Sequence, residues 1–249
     1  DSEGVEGKYF CWTPAQLAEV LGDERARRFA RAYGVTPNGN FEHGLSVLHL
    51  PKPLGELAAE LGVAAADLAA DLADDRRRLL ARRYDRVPPL RDGKILTAWN
   101  ALLVTGLCRA AVAADAWGDP PLAAAWQDLA VAAADRLLAA HLDPHGAVLR
   151  ADFEGVVHTR GYLDDLAFLA RACLDLHELT LAPRWHQAAA ALARRALAHH
   201  ARSGGDGFYL TADDGEPLIE RVESQHDAAI PSGVGVLVEV LLRLDAADT

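Results

Sequence analysis

Methionine is absent from all 249 residues, and the chain opens on Asp1-Ser2-Glu3-Gly4, which has neither the charged start nor the apolar stretch of a signal peptide. The chain is therefore expected to be a piece of a longer protein. Cysteine is scarce: Cys11, Cys108 and Cys173 stand far apart, with no C-x-x-C. That odd, sparse count argues against a disulfide framework or a zinc site and fits a reducing, cytoplasmic compartment. Positive charge is in deficit. The formal net charge is -11, whereas a phosphate-binding protein carries a basic stripe. The dense run Arg76-Arg77-Arg78 to Arg82-Arg83 shares its helical pattern with Asp71, Asp74 and Asp75, so it reads as a solvated helix face and not as a nucleic-acid surface. No apolar stretch is long and uncharged enough to predict a membrane span. Metal-ligand spacing such as H-x-x-x-H does not occur, and neither a metal nor another cofactor is expected.

What is abundant is Ala, Leu and Arg, in a chain that is 51% apolar. These side chains lose little freedom in a helix. Thr13-Pro14 opens one helix, Asp23 to Tyr33 forms another that stops at Gly34, and residues 34–53 form a Gly- and Pro-rich loop. Helices follow over 54–61 and 64–84, ended by Pro88-Pro89. Beyond residue 94 an apolar helix, an amphipathic helix and a hairpin recur. At an offset of 59, Trp126 aligns with Trp185, Arg136 with Arg195, and His141 with His200. The hairpins pair 147–150 with 156–158, and 208–210 with 218–220. The first helix of each unit is apolar nearly all round and predicts burial; the second is amphipathic and predicts an outer position. The predicted fold is all-α: an incomplete (α/α)6 toroid with short β-hairpins on one rim, in which residues 1–53 are capped short helices and a loop insertion and residues 54–249 are helix-helix-hairpin repeats.

Polar residues gather where the inner helices begin. The first is entered through Asp92, Lys94, Trp99 and Asn100, the second through Tyr162, Asp164 and Asp165, the third through Asp227 and Ser232. Asp164 and Ser232 are ordinary N-cap types, and Asp165 suits a first turn. Their recurrence in three units, beside Trp99, Tyr162 and Phe168, also predicts a shared opening with carboxylates and aromatic rings, the groups sugar chemistry uses. His177, on an apolar stripe, reads as a hydrogen-bonded core histidine, and His199-His200 suit a helix C-terminus. His49 and His226 lie in loops and are candidates for proton transfer. The candidate catalytic residues are thus Asp164, Asp165, Asp227, His49 and His226. The candidate binding residues are Asp92, Lys94, Trp99, Asn100, Tyr162 and Ser232.

The chain resembles the YyaL-type, thioredoxin-domain-containing proteins, whose vertebrate relative is a spermatogenesis-associated protein. The matching stretches are Asp1-Ser2-Glu3-Gly4, Glu6-Gly7-Lys8-Tyr9-Phe10-Cys11-Trp12-Thr13, Tyr33-Gly34-Val35-Thr36, Gly39-Asn40-Phe41-Glu42, Val47-Leu48-His49, Asp92-Gly93-Lys94, Trp99-Asn100, Gly161-Tyr162-Leu163-Asp164-Asp165 and Asp227-Ala228-Ala229-Ile230-Pro231-Ser232-Gly233. The resemblance implies an upstream thioredoxin-like domain, not contained in these residues, followed by a six-hairpin glycosidase-like toroid similar to N-acylglucosamine 2-epimerases. Gly93, Leu166 and Val234 depart from the acidic, aromatic and Asn residues of the family pattern. Two functions are expected in competition. One is an epimerase-, isomerase- or glycosidase-like barrel acting on a sugar-like ligand; the other is a non-catalytic binding module for the thioredoxin-like domain.

Overall fold

A computed structural model describes residues 1–204, 207–223 and 226–247. The described chain is all-α apart from short antiparallel strands, the predicted class. It divides into two compact units, residues 1–92 and 93–249.

Unit 1 holds α1 (Pro14–Leu21), α2 (Asp23–Tyr33), α3 (Leu54–Leu61) and α4 (Ala65–Arg83). Thr13 caps α1 through the Gln16 N–H while Gln16 answers to the Thr13 N–H, and Gly34 ends α2 in the left-handed region. The helices close over Trp12, Leu17, Phe29, Leu57, Leu68 and Leu72, each at most 2% exposed. The Arg-rich face of α4 is ion-paired: Arg77 and Arg78 reach Asp74 at 3.1 and 3.0 Å, one helical turn away.

Unit 2 holds β1 (Ile95–Leu96), α5 (Thr97–Ala116), α6 (Pro120–Ala140), β2 (Leu149–Phe153), β3 (Val156–Arg160), α7 (Leu163–Thr180), α8 (Pro183–His200) and α9 (Gly233–Ala247). α7 packs between α5 and α9, while α6 backs α5 and α8 backs α7. This is an arc of inner and outer helices, as the alternating apolar and amphipathic patterns predict. α7 is sealed along Leu166 to Cys173, Phe168 included, so Phe168 belongs to the core and not to an opening. Burial of each such large side chain stabilises by roughly 1.5–3 kcal/mol. α5 departs from the expected full burial: Trp99, Leu103 and Val112 are more than half exposed. By length and apolarity alone α5 would cross a membrane, but its other face packs on α6 and α7 as a core helix does.

The repeat is physical. Arg136 of α6 holds Asp152 of β2 at 2.8 Å, and Arg195 of α8 holds Asp214 at 2.6 Å. His141 and His200 end the two outer helices, both buried, and their carbonyls accept from Leu149 and Tyr209. Two details differ from expectation. Residues Ile95–Leu96 form a strand against Ala151–Asp152 before α5 begins, giving a sheet ordered β1-β2-β3. Tyr209 pairs with Glu223 rather than with residues 218–220, and the Leu210 N–H donates to the Val222 carbonyl at 2.8 Å. Pro217 lacks the N–H a ladder there would need, and Leu218 and Ile219 are exposed.

Candidate functional site

The inner helices of unit 2 begin around two neighbouring carboxylates. Asp165, in the first turn of α7, is fully buried. Its Oδ1 accepts the Ala98 N–H of α5 at 3.0 Å, and its Oδ2 accepts the Tyr162 N–H at 2.9 Å and the Arg150 guanidinium at 3.1 Å. One side chain thus satisfies free donors at the heads of two helices. Asp164 turns the other way, to α9, where it accepts the Gly233 N–H. A Cβ on Gly233 would collide with the Asp164 carboxylate and backbone, so this approach requires glycine. The N-cap is Tyr162, two residues before Asp164, so Asp164 caps a neighbouring helix and not its own.

Burial pushes the Asp164 carboxyl above its usual range, against the Gly233 N–H and the Arg150 charge, which favour ionisation. Burial does the same to Asp165, opposed by its two backbone donors and Arg150 and reinforced by Asp164. Asp165 has its oxygens committed to three donors. Asp164 is only half-buried and remains the more available acid.

The other predicted residues fall as follows. Arg150 stacks on the Tyr162 ring at 4.6 Å. Trp99 projects from the first turn of α5, 61% exposed, and the Asn100 amide donates to the Leu96 carbonyl at 2.8 Å, back along its own helix start. Asp227 is exposed and accepts the Ser232 N–H at 2.8 Å, which brings it to the head of α9; Ser232 itself is buried. His226 is in the same exposed loop. Lys94 is exposed just before β1. Asp92 and His49 belong to unit 1. There the His49 ring lies over Gly34, and its Nδ1 is 3.2 Å from the Asn40 amide, which also ties the loop through both polar groups of Val47. His177 is held by the Ala182 carbonyl at 3.1 Å.

Two participants carry no motif. Arg150 links Asp165 to Tyr162, and its only sequence signal is a lone cation in a short apolar strand. Thr97 donates to the Leu149 carbonyl at 2.5 Å and so accepts from His141 Nδ1 at 2.7 Å. That leaves Nε2 of His141 buried without a partner among the described residues. Farther along the same helices, a groove of about 540 Å³ is lined by Cys108, Asp175, Glu178, Glu239 and Arg243. Burial pushes the Cys108 and Cys173 thiols up to about 12, so neither is a ready nucleophile. Among the described residues, His199, Asp213 and Asp214 group closely enough for a cation, but Arg195 and Arg160 already pair with Asp214.

No protein-family model matches the chain. It is similar to spermatogenesis-associated protein 20 of Homo sapiens, 28% identical over 96% of this chain and 33% of that protein, and to its Rattus norvegicus counterpart, 26% identical over the same shares. An uncharacterized protein of Caenorhabditis elegans is 24% identical over 98% of this chain and 35% of its own length. The chain spans about a third of the length of the curated relatives it matches, and its similarity to spermatogenesis-associated protein 20 runs through both units.

Proposed function

We propose that the chain is the helical, ligand-binding portion of a thioredoxin-domain-containing protein of the YyaL type, and that the heads of α5, α7 and α9 handle a sugar-like ligand. The observation that carries this reading is Asp164: a half-buried carboxyl held above its ordinary range, at three converging helix starts, beside a guanidinium and a tyrosine ring. A carboxyl poised in that way gives or takes a proton at neutral pH better than a solvated one. Tyr162 and Trp99 offer ring faces to a sugar, and Arg150 offers N–H groups to its hydroxyls. Because Asp165 is committed to three donors, the second carboxylate of a glycosidase-like pair falls to Asp227. Epimerase- or isomerase-like chemistry draws instead on His226 beside it. Three free, buried cysteines fit a reducing, cytoplasmic setting.

A panel of aldoses, amino sugars and oligosaccharides, screened by thermal shift on the parent and on Asp164→Asn, tests this. The expected result is a stabilising member whose effect is lost in the variant, since a ligand at 100 times its Kd adds about 2.7 kcal/mol. A panel with no stabilising member contradicts it.

A second reading is a non-catalytic module that presents clients to an upstream thioredoxin-like domain. The capping duty of both carboxylates favours it, as do Gly93, Leu166 and Val234 at the heads of the inner helices. Under that reading Asp164→Asn alters stability but no ligand response.

A further inference from the structure

We propose that unit 1 carries a ligand site of its own, a cavity of about 390 Å³ lined by the segment from Ser2 to Trp12, by α1 and by residues 82–87, and that it takes a neutral, monosaccharide-sized polyhydroxylated molecule. The volume lies at the lower end of small-molecule pockets, roughly 300–1,000 Å³.

The segment is held in shape independently of any ligand. Gly4 and Gly7 adopt φ of 75° and 71°, and the Phe41 ring stands where a Cβ on Gly7 would be. Arg86 donates to the carbonyls of Lys8, Tyr9 and Cys11 at 3.2, 2.9 and 2.8 Å while stacking on Trp12 at 4.0 Å. Ser2 fastens the start of the segment to the Val87 carbonyl at 2.5 Å. A concavity fixed in this way needs little ordering on binding.

Its chemistry selects the ligand class. Glu3, Glu19 and Asp85 face Lys8, Arg82 and Arg86, three charges of each sign, so the cavity attracts neither a cation nor an anion on balance. The rim pairs are accessible: Lys8–Glu3 at 2.7 Å, Arg82–Glu19 at 3.6 Å and Arg82–Asp85 at 3.5 Å, with side chains from 45% to 68% exposed. A hydroxyl both donates and accepts, so a polyhydroxylated molecule answers the carboxylates and cations of this lining without carrying charge itself. Tyr9 is 9% exposed, lines the cavity, and its hydroxyl makes no hydrogen bond among the described residues. Trp12 supplies part of an apolar base.

Titration of the ¹⁵N-labelled full chain with D-glucose and with N-acetyl-D-glucosamine tests the site by amide shifts. The expected result is a saturable change at residues 3–12 and 82–87 with one of these sugars. Tyr9→Phe, which keeps the ring against Phe10, weakens that binding about five- to tenfold without lowering Tm, and Glu19→Gln on the rim weakens it too. Asp164→Asn leaves it unchanged, which separates this site from the heads of α5, α7 and α9. Shifts confined to residues near Asp164, no saturable shift with either sugar, or parental affinity in Tyr9→Phe overturns the proposal.

Discussion

The Asp164 carboxylate occupies the space that a side chain on Gly233 would fill, and accepts the N–H of that glycine. Two inner helices therefore meet at a point with no room for a methyl group. Gly233→Ala must push α9 away or turn Asp164 out of its bond. The expected loss is about 1–3 kcal/mol, read as a lower urea midpoint at unchanged slope. Parental stability in that variant means the helices are not this close.

Asp165 ties the first turns of two inner helices and the Arg150 guanidinium together. Removing it in Asp165→Ala strands the Ala98 and Tyr162 N–H groups and leaves Arg150 without its partner. The expected loss is about 3–5 kcal/mol, larger than for Gly233→Ala. Chemical unfolding of both variants side by side checks the order.

Acid acts on the buried histidines. Burial pushes His141 and His200 below the ordinary 6.5. Between that value and their lower folded values the unfolded chain binds more protons, so their contribution to stability is lost as pH falls below 6.5. Asp164 and Asp165 act in the opposite sense, because their raised folded values favour the folded state as they protonate. Comparing parent and His141→Gln isolates the histidine part. The expected fall in urea midpoint from about pH 7.5 to about pH 5.5 is smaller in the variant. An equal fall in both contradicts the assignment.

In unit 1 the contrast lies between two aspartates of α4. Asp75 is fully buried against Arg25 at 2.6 Å, while Asp71, 51% exposed, meets Arg28 at 2.7 Å. Asp75→Ala is expected to lose about 3–5 kcal/mol, and Asp71→Ala at most about 1 kcal/mol. Thermal melts of the two single variants test the difference.

Helix boundaries were legible wherever a cap is local. Thr13-Pro14 and Gly34 each mark an end within a turn of where it falls. The repeat was legible for the same reason, since Arg136 and His141 recur as Arg195 and His200 in like surroundings. What stayed hidden depends on distant partners. Nothing local to Asp164 says that its carboxylate serves a helix starting at Gly233, or to Asp165 that it serves Ala98. The pairing of Ile95–Leu96 with Ala151–Asp152 is likewise chosen by packing, as is the capture of Asp165 by Arg150. A cluster of acids and rings at three helix starts was visible in the sequence; the division of labour between the two aspartates was not.

The protonation of Asp164 bears most directly on whether the inner-helix heads form a working site. A side-chain carboxyl ¹³C titration of the labelled chain, with Asp164→Asn to assign the signal, reads it. The expected midpoint lies above the ordinary 3.8. A midpoint at or below 3.8 contradicts the proposal, because burial then does not favour the acid form and Asp164 serves as a cap alone.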